Sequence, residues 1–209
     1  MRLILASGSP RRKQILALLG IPFETIPSGL AENPDPGRTA SEEALHLACA
    51  KARAVAAVNP DAVVIGCDTL IDLQGLKVGK PADPQEALTF LKKLSGQEHS
   101  VVTALAVVSP GGKTETFIET SRVRMKKSAP EVLENYAASP EPLDKAGAYS
   151  IQGEGGRLIG GIQGDFLSVV GLPLRALARI LRIEGIDLPV EVESIYREKA
   201  FENWRRFDP

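Results

Sequence analysis

The chain has 209 residues, 44% hydrophobic and 24% charged, which provides for a sizeable core and argues against wholesale disorder. Its 25 lysines and arginines nearly balance 26 aspartates and glutamates, so it does not read as a general polyelectrolyte binder, and any anion site must be local. No run of about 18 apolar residues offers a membrane span, and the apolar part of "MRLILASGSP" is too short for a signal peptide.

In chain order, "RLILA" predicts a buried strand and "PRRKQILALLG" an amphipathic helix closed by Gly20. "PFETIPS" is a second short strand, followed by the Gly- and Pro-rich loop "GLAENPDPGRTA". "SEEALHLACAKARAVAAV" has the strongest helical periodicity in the chain, with Thr39 or Ser41 as cap. "DAVVIGCDTLIDL" is a strand entering a turn at "QGL", and "VGKPADP" leads into the helix "PQEALTFLKKLSG". "EHSVVTALAVVSPGGKTETFIETSRVRM" is an antiparallel hairpin turning at "SPGGK". "SAPEVLENYAAS" is a helix, "GAYSIQGEGGRLIGGIQGDFLSVVG" a region of short strands and tight turns, and "LPLRALARILRIEG" a core helix. The charged tail is expected to be helical. The whole is an α/β protein with a mixed sheet, since the hairpin excludes a purely parallel design. Cys49 and Cys67 lie in apolar contexts without C-x-x-C spacing and are expected to be reduced core thiols of a cytoplasmic protein.

Three strand ends carry candidate chemistry. At the first, Ser9 is a good N-cap and Pro10 suits the first helical position. Arg11 and Arg12 then fall where the helix dipole disfavours cations by a few tenths of a kcal/mol, roughly. A bound anion would offset that cost: Ser7, Gly8 and Ser9 allow close approach of phosphate oxygens, and arginine grips them in a bidentate way. The competing reading is a capped helix with solvated arginines. At the second, Asp68 ends an apolar strand, placed to hold a divalent cation or take a proton from water, or simply to close a turn. Asp72 is the alternative carboxylate. At the third, Lys80 sits in "VGKP", which is not a Walker A loop. Glu32 is an acid in the long loop, and Gln152 can read a base or sugar through its amide. His46 and His99 adjoin no candidate nucleophile. Cations for phosphate beside dispersed carboxylates favour metal-assisted attack on a phosphoanhydride.

"LASGSPRRKQIL", "GCDT", "GKP", "LSGQEHSVVTALAV", "DKAGAYSIQG" and "GDFLSVVGLPL" occur in an order and spacing that resembles the Maf family of nucleotide pyrophosphatases, from about residue 3 to 185. The resemblance implies a mixed twisted sheet flanked by helices, similar to the inosine triphosphate pyrophosphatases, with two lobes around a cleft. It also implies cleavage of nucleoside triphosphates to monophosphate and pyrophosphate with Mg²⁺ or Mn²⁺. By position, Asp68 corresponds to the proton acceptor and Ser7, Ser9, Arg11, Arg12 and Lys80 to phosphate-side residues. Glu32 and Asp68 correspond to the metal site. Arg11, Thr69 and Gln152 match the branch acting on dTTP and UTP, where the 7-methyl-GTP branch typically has Trp, Gln and Glu. A neutral amide suits a pyrimidine edge, whereas a cationic guanine favours an aromatic face and a carboxylate.

Residues 1–186 are expected to form one Maf-like α/β domain, with 187–209 a charged helical extension. The resemblance further implies a homodimer, with no nucleic acid or membrane required. Departures are Cys67 where many members have alanine, and Ala31 where the loop commonly carries a second acid beside Glu32. Some members were linked to inhibition of septum formation. The alternatives are therefore a non-catalytic nucleotide-binding regulator of division and, against the three specificity positions, a 7-methyl-GTP enzyme.

Overall fold

A computed structural model describes residues 1–31 and 35–207. The sheet combines parallel and antiparallel pairing because the chain mixes helical crossovers with hairpins. β1 (Arg2–Leu5), β2 (Glu24–Thr25) and β3 (Ala62–Leu73) pair in parallel, and the crossovers between them run through α1 (Pro10–Ala17) and α2 (Ala40–Ala56). β4 (Leu76–Val78) folds back on β3, around a turn in which Asp72 Oδ1 accepts the Gly75 N–H at 2.6 Å. Asp72, the alternative carboxylate, is thus committed to this turn. β5 (Glu98–Val108) and β6 (Thr114–Met125) form the hairpin, closed by Ser109 N–H to Lys113 O at 2.9 Å. β7 (Ile159–Gln163) adds antiparallel to β6. The order is β2-β1-β3-β5-β6-β7, seven strands with β4 counted.

Two compact units emerge, and β3, β5 and β6 each contribute residues to both. The first comprises Met1–Asp68, Thr103–Glu119 and Gly171–Glu198. It contains α1, α2, α6 (Leu174–Ile183) and α7 (Val192–Glu198), and its core gathers Ile4, Leu5, Leu16, Ile65 and Leu177. α2 starts with a capping box in which the Thr39 side chain accepts from Glu42 N–H while Glu42 reaches back to Thr39 N–H, satisfying two orphan helix donors. Where α2 crosses β3 the backbones nearly touch. A Cβ at Gly66 would collide with the Ala48 carbonyl and stand 2.8 Å from Ala52 Cβ, so glycine is required in the strand there.

The second unit takes Thr69–Val102, Thr120–Val170 and the chain from Lys199. It contains α3 (Pro84–Leu94), α4 (Pro130–Ala137), α5 (Phe166–Val170) and α8 (Trp204–Phe207). The glycine-dense region forms 3₁₀ turns at Pro142–Asp144, Ala146–Ala148 and Glu154–Leu158. The tail is not one continuous helix: α7 and α8 are separated by five residues that include left-handed Lys199 and Asn203.

His99, which sequence alone leaves between surface and core, is buried in this unit. Its Nε2 shares a 2.7 Å hydrogen bond with Tyr149 Oη, and the rings meet edge to face. Burial lowers its pKa from 6.5 to about 4, so the native imidazole stays neutral where an unfolded one takes up a proton. Stability is therefore full above pH 6.5 and falls as pH drops toward 4. Between pH 7 and 5 this amounts to about 2 kcal/mol. Urea unfolding at the two pH values should register that loss in the wild type and a smaller one in His99→Gln. Equal losses would contradict a buried neutral histidine.

Candidate active site

Two residues beyond β1 stands Ser7, a buried residue whose Oγ accepts two donors: Ser9 N–H at 3.2 Å and Arg12 Nη1 at 3.4 Å. With both donors incoming, the Ser7 O–H remains available to donate to an oxyanion. Ser9 is the N-cap of α1, accepting Arg12 N–H at 3.5 Å, and Pro10 takes the first helical position. The first turn holds no acid. Arg12 is not a solvated helix-start arginine. Its Nε donates to the Gly171 carbonyl at 3.0 Å, 159 residues away, which fixes the guanidinium beside Ser7. Arg11 is half-buried in the same turn. Ser7, Ser9 and Arg12 are thus brought together at a helix N-terminus, where backbone N–H groups and the helix dipole favour a negative charge.

The Gly171 carbonyl also receives the Cys67 thiol, Sγ to O 3.1 Å. Burial pushes the Cys67 pKa up to about 11, so the side chain is a neutral thiol that packs and donates. One carbonyl therefore ties the strand residue before Asp68 to Arg12.

Asp68 is only 5% exposed, and its Oδ1 lies 2.6 Å from Lys51 Nζ, itself 7% exposed. Sequence reasoning missed this partner. The signal was present: Asp68 is two residues beyond Gly66 and so on the same face of β3, the face that α2 crosses. Lys51 lies between Ala48 and Ala52, the two residues against Gly66, and is so carried to the face of β3 on which Asp68 stands. Glu43 was missed as well. It is buried on α2, where its Oε2 accepts Asp35 N–H at 3.3 Å and lies 3.6 Å from Arg38 Nη1, holding the end of the preceding loop. Glu32, assigned to the metal by resemblance, lies outside the described residues.

The second unit holds the remaining candidates. Thr69 is half-buried, and Lys80 is exposed with no side-chain partner among the described residues. The turn carrying Lys80 is tied down by Gly147 N–H donating to Gly79 O at 2.9 Å. Gln152 is half-buried, and among the described residues its amide makes no hydrogen bond. Asp144 and Lys145 pair with each other. His46 is exposed.

No group of three or more His, Cys, Asp or Glu side chains arranged to hold a metal occurs among the described residues. One buried carboxylate in the same unit as the Ser7–Arg12 turn would suit a hard cation such as Mg²⁺, which takes one or two protein carboxylates and completes its shell with substrate phosphates and water.

A mixed sheet with an arginine-bearing strand-to-helix turn, and a buried carboxylate within the neighbouring strand β3 where a strand end was expected, has the make-up of a phosphate-handling α/β protein. The chain matches the family model described as Maf-like protein over residues 2–184 and belongs to the Maf family. It is 49% identical over 182 residues to a protein of Aquifex aeolicus named dTTP/UTP pyrophosphatase, covering 87% of this chain and 95% of the relative. Relatives of the same name from Moorella thermoacetica and Bacillus cereus are 45% and 44% identical, each covering 90% of this chain and 97% of their own length. Among solved structures, a nucleoside-triphosphatase / dITP/XTP pyrophosphatase of Mycobacterium abscessus is similar at TM-score 0.43 and 17% identity, covering 90% of this chain and 98% of that one. The family assignment rests on the sequence matches rather than on that distant likeness.

Proposed function

We propose that this chain is a pyrophosphatase that hydrolyses dTTP and UTP to the monophosphate and pyrophosphate. The observation that carries the reading is the buried Asp68 carboxylate held by Lys51, in the same unit as the Ser7–Arg12 cradle. The names of relatives at 44–49% identity support it.

In this mechanism Asp68 takes a proton from the attacking water, the oxygen bonds to the α-phosphorus, and the α–β bridging oxygen leaves with pyrophosphate. Arg12, held by Gly171 and Ser7, carries charge developing on the leaving group, and the Ser7 O–H donates to a phosphate oxygen. Ser9 acts through the cap that orients the turn, and Arg11 adds a second guanidinium. Lys80, Thr69 and Gln152 are assigned by the resemblance, Lys80 to phosphate and the other two to the base. A divalent cation, Mg²⁺ or Mn²⁺, would be held by Asp68 and Glu32 and would supply Lewis-acid polarisation of the phosphoryl group. A cytoplasmic location and a homodimer belong to this proposal. The two free cysteines and the lack, among the described residues, of a helix long and apolar enough to cross a membrane are consistent with the first.

The test is pyrophosphate release from dTTP, UTP, CTP and 7-methyl-GTP, with Mg²⁺ or Mn²⁺ and with chelator. Metal-dependent release from dTTP and UTP is expected. Preference for 7-methyl-GTP would overturn the base assignment, and no release from any of the four would overturn the enzyme.

Arg12→Ala should lower kcat/KM for UTP by about 10²-fold, the scale of one lost transition-state donor. It also removes the charged donor to Gly171 and should cost about 1–2 kcal/mol of stability. Arg12→Lys restores charge without the guanidinium fork and should recover only part of the rate. Recovery to wild-type kcat/KM would refute the bidentate role.

A further inference from the structure

We infer that the C-terminal segment, which lies beyond the matched residues 2–184, participates in nucleotide selection, with Asn203 a positioning residue for Gln152. The inference rests on the proposed function insofar as Gln152 faces the base.

Asn203 Nδ2 donates to two carbonyls, Ile151 O at 3.0 Å and Gly153 O at 3.1 Å. These are the carbonyls on either side of Gln152. Both hydrogens of the amide are thereby used, each on one flank of the selecting residue. The approach is close enough that a Cβ at Gly156 would collide with Asn203 Nδ2. Asn203 itself is left-handed, φ +63°, a conformation asparagine tolerates better than most residues.

The residue after Asn203 anchors the segment. Trp204 is 1% exposed and stacks on Phe166, with ring centroids 5.1 Å apart and planes 6° from parallel. On the other side, the amides of the same loop are held independently. Glu141 accepts Glu154 N–H at 3.1 Å, Gly155 N–H at 3.0 Å and the Tyr136 hydroxyl at 2.9 Å, while Tyr136 Oη accepts Ser150 N–H at 3.2 Å. The loop backbone is thus fixed on both sides of residue 152, whereas the Gln152 amide makes no hydrogen bond among the described residues. A carboxamide held on a rigid backbone and left unspent is arranged to discriminate between hydrogen-bonding edges, because a base that cannot match it leaves polar groups unpaired.

The test compares wild type with Asn203→Ala and Asn203→Asp, the latter turning a carboxylate toward two carbonyl oxygens. Expected is a fall of about fivefold in the UTP-over-CTP ratio of kcat/KM, the value of one net hydrogen bond. It should be carried by KM for UTP, with the melting temperature little changed because Trp204 stays anchored. In a Gln152→Ala background, adding Asn203→Ala should leave the ratio where it is. Amide hydrogen exchange should quicken over residues 150–156 and not over 7–13. An unchanged ratio and unchanged exchange in both variants would overturn the inference while leaving the function standing. If wild type releases pyrophosphate from no nucleotide, the function falls and selection with it, and exchange alone then decides whether Asn203 clamps the loop.

Discussion

Asp68→Asn should reduce kcat/KM for pyrophosphate release by about 10²–10⁴-fold, the contribution of a positioned general base. The substitution keeps the shape of the side chain and leaves an amide oxygen to accept the Lys51 ammonium, so the packing around this position of β3 survives. It removes the capacity to take a proton and the negative charge, and with the charge the carboxylate proposed to hold the divalent cation. Lys51 is then a buried cation facing a neutral amide, and a stability loss of about 1–3 kcal/mol is expected in place of unfolding. Measuring the rate beside the thermal melt separates the two effects. A rate loss far larger than the melt accounts for is the expected result, and full activity would sink the base assignment.

Lys51→Met is expected to have the largest effect on stability. Methionine has nearly the length and shape of the lysine stem, so the alanine-lined face of α2 still packs against β3. The Asp68 carboxylate, 5% exposed, loses the ammonium 2.6 Å away. Removing one member of a buried ion pair costs about 3–5 kcal/mol, because the remaining charge stays buried without that counter-ion. Urea unfolding should show that loss. Adding Asp68→Asn to Lys51→Met should restore part of the stability, with an interaction energy of about 0.5–3 kcal/mol, and none of the activity. If Lys51→Met were as stable as wild type, the ion pair would not hold the carboxylate in place. If it were destabilised yet fully active, Lys51 would have no part in positioning Asp68 for chemistry.

These two residues also mark the limit of legibility in the chain. Asp68 is legible from local pattern as the carboxylate that closes an apolar run, although the strand continues past it to Leu73. Lys51 is not, because on α2 its spacing reads only as part of an alanine-rich helical face. Its partner is 17 residues away on another element, and only the crossing at Gly66 brings them together. The same holds for Arg12, singled out for an anion and yet tethered to a carbonyl 159 residues distant. The charged tail, expected to be helical, forms two short helices, because left-handed Lys199 and Asn203 interrupt it, and the buried Trp204 beyond the break is stacked on Phe166.

The sequence alone determines most of the strands and helices, the cap at Ser9, the start of α2 at Thr39 or Ser41 (the structure chooses Thr39 and its capping box), the hairpin at "SPGGK" and the family. Each of these is written in neighbouring residues, through side-chain period, cap chemistry and turn residues, or in motifs whose order survives without knowledge of contacts. The tertiary structure alone decided which charge meets Asp68, which carbonyl holds Arg12, and that Asn203 grips the carbonyls flanking Gln152 from 50 and 52 residues away. Those pairings depend on the close approach of α2 to β3 and on where a buried tryptophan can stack, and neither is specified by any short stretch of the chain.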